Sequence, residues 1–60
     1  MMAMSFEAWK SVVDKILLDL CGMTSDDIDD WHYWTDFDDG RTPRQSAVAA
    51  LKNAMSSYMY

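Results

Sequence analysis

Sixty residues carrying ten acids against five bases, for a formal net charge of −5, describe one small domain spanning residues 1–60. The single cysteine, Cys21, excludes an intramolecular disulfide and a cysteine-based zinc site. No run approaches the ~18 apolar residues of a membrane span, and an apolar content of 50% is too high for a disordered chain.

Along the chain, the opening MMAMSFEAWKS has neither a basic region nor an unbroken apolar run, so no secretory signal is expected there. Phe6, Trp9, Val13, Ile16, Leu17 and Leu20 then recur at steps of three and four, the stripe of an amphipathic helix over about 5–21. Ser5 is suited to cap it, because its hydroxyl can accept from a backbone N–H that has no partner inside the helix. Glu7 in the first turn complements the helix dipole. Gly22 is placed to end it, since only glycine takes the left-handed conformation freely.

The middle is less regular. Thr24 or Ser25 can cap a turn beginning at Asp26. Ile28, Trp31, Trp34 and Phe37 follow at steps of three and predict short helical turns within about 26–39, broken near 29–31 and ended by Gly40. On that reading Trp31, Trp34 and Phe37 face a core, with His32 and Tyr33 outside.

The last element opens on Thr42-Pro43-Arg44-Gln45. Threonine as N-cap, proline at the first helical position and glutamine at the third make a capping box, predicting a helix over about 43–57. Its apolar stripe is Ala47, Val48, Leu51, Met55 and Tyr58, and Ala49, Ala50 and Ala54 add helix propensity. No stretch alternates as a strand does. The expected fold is all-α, a compact domain of three or four helices, with the first helix on the last through Val48, Leu51 and Met55.

Charge is unevenly distributed. Residues 16–40 hold eight aspartates and no base, whereas residues 41–60 hold Arg41, Arg44 and Lys52 and no acid. Direct binding to DNA or to an anionic membrane is therefore not expected, since phosphate neutralisation needs a continuous basic face. A basic protein surface fits better. Asp26, Asp27, Asp29, Asp30, Asp36, Asp38 and Asp39, with Trp31 and Tyr33, are the candidate partner-binding residues. Carboxylates at these intervals can occupy a channel built for phosphates; the plainer reading is a solvated, solubilising face.

An EF-hand loop does not fit, because Gly40 at its sixth position would put Phe37 where an oxygen ligand belongs. His32 has no recognisable nucleophile arrangement to serve. Neither a metal, a cofactor nor catalysis is expected.

Phe6 and Trp9 at the start, and Asp39, Gly40, Thr42 and Pro43 at the turn into an alanine-rich helix, resemble an F-x-x-W opening and a D-G-x-[ST]-P turn of small acidic phage and mobile-element proteins. Proteins of that kind include anti-CRISPR and antirestriction inhibitors, some of them DNA mimics. The resemblance implies an inhibitor in the bacterial host cytoplasm; the chain itself is expected to be a monomer or weak homodimer. Its partner would be a nucleic-acid-binding protein such as a subunit of a type I CRISPR effector. The alternative function is a general interaction module, gripping a basic peptide or helix with an acid-rimmed aromatic patch.

Overall fold

The computed structural model describes residues 4–28 and 30–58, with side chains as far as 56. Asp29 and the side chain of Tyr58 lie outside what it describes. Three helices follow in order: α1 (Phe6–Cys21), α2 (Tyr33–Asp38) and α3 (Pro43–Tyr58). The described residues contain no strand.

Each boundary has a local cause. Ser5 Oγ accepts from the Ala8 N–H at 3.1 Å, starting α1. Gly22, at φ 77°, ends it, and its N–H donates to the Leu18 carbonyl at 2.9 Å. At α3 the capping box closes both ways: the Gln45 N–H donates to Thr42 Oγ1 at 3.1 Å, and the Thr42 N–H donates to Gln45 Oε1 at 2.9 Å. Gly40, at φ 82°, stops α2. Its N–H donates to the Phe37 carbonyl and that of Arg41 to the Asp36 carbonyl, the paired bonds of a Schellman motif.

The helical turn expected from Asp26 is a single turn over residues 25–27. Asp27 holds it, with Oδ2 accepting from the Thr24 N–H and hydroxyl at 3.4 Å each. The Ser25 N–H donates to Asp14 Oδ1 at 3.0 Å, tying the turn to α1.

The core lies between α1 and α3. Trp9, Val13 and Leu17 of α1 are buried with Ala47, Ala50 and Ala54 of α3, and Ile28 and Tyr33 complete the cluster. Phe6, Ile16, Trp31, Phe37 and Leu51 pack around it. The pairing is large on small. Trp9 and Leu17 fill the space, so α3 turns its alanines inward.

That rotation corrects the expected contact face. Val48 is half-buried and Met55 is 52% exposed, while Leu20 at the end of α1 is 44% exposed. The Trp9 indole N–H also donates to the Arg41 carbonyl at 3.0 Å, fastening the loop before α3 to α1.

The aromatic phase of the middle segment is corrected too. Because α2 begins only at Tyr33, positions 33, 36 and 37 form its inner side: Tyr33 and Asp36 are buried and Phe37 half-buried. Trp34 faces out, at 59% exposed. The three-residue spacing counted across residues 28–37 does not hold through a stretch that is not helical.

Candidate partner-binding surface

The acidic segment divides into an outer and an inner part. Asp26, Asp27, Asp30, Asp38 and Asp39 are exposed. Among the described residues the ion pairs converge on Asp36, so none of these five aspartates has a basic side chain against it. Asp26 and Asp27 belong to the turn after α1, whereas Asp38 and Asp39 end α2.

Asp36 does not belong to that surface. It is 3% exposed, and its Oδ2 accepts from the Trp31 indole N–H at 2.8 Å and from the Ser46 hydroxyl at 2.7 Å. Its Oδ1 faces His32 Nε2 at 3.6 Å and Arg41 Nε at 3.5 Å. A carboxylate left unpaired in such a place would cost several kcal/mol, on the order of 3–5. Here its bonds join the segment before α2, α2 itself, the loop after it and the first turn of α3.

Trp31 and Tyr33 are also less exposed than the five outer aspartates. Trp31 is half-buried, bonded to Asp36 and stacked on the His32 ring with centroids 4.1 Å apart. Tyr33 is 8% exposed, and Lys10 Nζ sits 4.8 Å from its ring centroid, a cation–π contact. Its hydroxyl is buried with no hydrogen-bond partner. Burial, together with the negative charges of Asp14, Asp30, Asp26 and Asp36, pushes its pKa up to about 12. An aromatic interaction patch built on Trp31 and Tyr33 therefore loses Tyr33 to the interior and keeps the exposed part of Trp31.

Two surface features escaped the reading of the chain. Trp34 lies in the open against Phe6 and Phe37, with ring centroids 5.0 and 5.5 Å away. The signal for it is that Trp34 and Asp38 stand four apart, one face of a helix starting at 33. The other feature is a groove of about 440 Å³ along α3, lined by Arg41, Thr42, Arg44, Gln45, Val48, Ala49 and Lys52. Arg44, Val48 and Lys52 are four residues apart in sequence, a visible second stripe on the same helix.

Among the described residues no group of three or more histidine, cysteine or acidic side chains is arranged to hold a metal ion. No described helix is long and apolar enough to cross a membrane.

Compared with known proteins, the chain is 38% identical over 50 residues to the gene 87 protein of Mycobacterium phage L5, covering 83% of this chain and 94% of that protein. With the gene 87 protein of Mycobacterium phage D29 the identity is 37% over 54 residues, covering 90% of this chain and all of that protein. The chain belongs to the gene 87 protein family. The gene 87 kinship extends over nearly the whole fold, so the acidic segment and the α3 groove both fall in a phage protein of about this size. No protein-family model matches the chain. No solved structure matches it either.

Proposed function

We propose that this gene 87 family protein is an inhibitor that occupies a basic, nucleic-acid-binding surface of a host complex, its aspartates standing where phosphates would lie. The target class that fits is a DNA-binding defence complex in the host cytoplasm, such as a type I CRISPR effector. The protein acts by binding and not by catalysis. One observation carries the reading: Asp26, Asp27, Asp30, Asp38 and Asp39 stay exposed with no basic partner, while Asp36, which does have partners, is drawn inside. A small domain bears the mutual repulsion of such charges, a few tenths of a kcal/mol per close pair, where a surface use offsets it.

The test begins with capture of the target from host lysate on the immobilised protein, followed by competition with double-stranded DNA. Mimicry requires mutual exclusion of protein and DNA and a steep loss of binding with salt. Asp26→Asn with Asp27→Asn, and separately Asp30→Asn, weaken capture while melting at or slightly above the parent temperature. A captured protein that binds DNA and this chain together, or that holds the Asn variants unchanged, rules the reading out.

A further inference from the structure

We infer that the α3 groove is the docking site for a second copy of this chain, whose Trp34 and flanking Asp38 and Asp39 fill it. Two features open at the surface, the groove and the outer face of α2, match one another in charge. The groove has an apolar floor, Val48 and Ala49, and a basic rim, Arg41, Arg44 and Lys52. Opposite in kind is the outer face of α2, where an indole 59% exposed stands one helical turn from Asp38, with Asp39 beside it.

A cation and an indole face attract, and tryptophan is the best aromatic for that contact. Tryptophan and arginine are also over-represented among the anchors of protein interfaces. With two acids on the knob, and Arg44 and Lys52 around the groove beside an Arg41 that already faces Asp36, the contact is attractive although the whole chain carries −5. An acidic helix from another protein would meet the same groove, but this chain supplies the matching knob itself.

Knob and groove adjoin along the chain, because Asp39 and Gly40 lead directly into Arg41 and Thr42. A twofold axis at that junction engages both contacts at once, which closes a dimer and avoids an open filament. Two such anchors make a small interface, at or below about 1,200 Å² in total, so the dimer is weak and depends on concentration. It also covers Asp38 and Asp39, leaving Asp26, Asp27 and Asp30 free. A target reading the α2 end of the acidic face competes with the second copy.

The experiment is sedimentation equilibrium of the full chain over a range of concentrations and salt, which needs no host target and so stands apart from the inhibitor reading. The expected result is a monomer–dimer equilibrium that shifts to monomer as salt rises. Trp34→Ala weakens dimerisation about tenfold or more, as loss of an interface anchor does.

Charge reversal provides the decisive arm. Arg44→Glu with Lys52→Glu, and Asp38→Lys with Asp39→Lys, are each monomeric alone; mixed, they form a heterodimer, because every knob then meets a groove of opposite sign. Helical circular dichroism confirms that both fold, as expected for an acid placed in the first turn of α3 and bases at the end of α2. A parent chain that remains monomeric up to its solubility limit overturns the inference. So does a mixture of the reversed variants that fails to associate.

Discussion

At Asp36, one of seven aspartates between Thr24 and Gly40, a carboxylate that reads along the chain as surface charge holds four neighbours together. Asp36→Ala would leave the fully buried Ser46 hydroxyl and the Trp31 indole N–H without their acceptor. At about 1–3 kcal/mol for each polar group left unsatisfied, with half-buried Trp31 at the low end, the loss approaches the ~3–5 kcal/mol that so small a core supplies. Urea unfolding should show a variant that is largely unfolded at room temperature. A midpoint equal to the parent's would mean that the network contributes nothing. Tyr33 presents the reverse case, since its buried hydroxyl has no partner to lose. Tyr33→Phe keeps the ring under Lys10 and should be neutral or stabilising by up to about 1 kcal/mol. Its pKa of about 12 lies above the ordinary 10.0, so the folded chain favours the protonated phenol. The stability contributed by that proton is complete below pH 10 and disappears as pH rises toward 12. Melting curves across that window should fall more steeply for the parent than for Tyr33→Phe.

Among the elements, α1 and α3 set the tolerance of the core. Ala50 is fully buried against the large side chains of α1. Ala50→Leu should therefore cost about 1–3 kcal/mol by overpacking, although leucine is a good helix former. The same change at half-buried Ala49, on the groove side of α3, should be far milder. Equal melting losses at the two positions would disprove the rotation of α3 described above. The short α2 needs help that a longer helix does not. Its N-cap, His32, makes no side-chain capping bond, so its stability comes from the Schellman end at Gly40 and from the bonds to Asp36.

For the molecule as a whole, exposed acids in the middle segment repel over distances comparable with the Debye length, ~30 Å in 0.01 M salt and ~8 Å at 0.15 M. Raising salt between those limits should raise the melting temperature, because screening relieves repulsion among exposed aspartates more than it weakens the ion pairs at buried Asp36. A falling melting temperature would show instead that the contacts of Arg41 and His32 with Asp36 dominate the electrostatics.

The ends of α1, the start of α3 and the glycine stop of α2 were legible because capping is local chemistry, whereas the start of α2 at Tyr33 was not. Ser5, Gly22, Gly40, and Thr42 with Gln45 act on backbone groups within a few residues, and all of them behave in the fold as their sequence context implies. The inner face of α1 was legible for a related reason, since an uninterrupted helix keeps its phase. Phase was lost where the backbone leaves the helix before Tyr33, which exchanged the expected places of Tyr33 and Trp34. Which side of α3 turns inward was not local either: bulky Trp9 and Leu17 leave room for alanine and not for Met55. Asp36 became an internal acceptor only because folding brings Ser46, ten residues away, and Arg41 to its two oxygens. Charge sequence alone cannot separate such a carboxylate from Asp38 and Asp39, because what distinguishes them is the desolvated company that the packed helices impose.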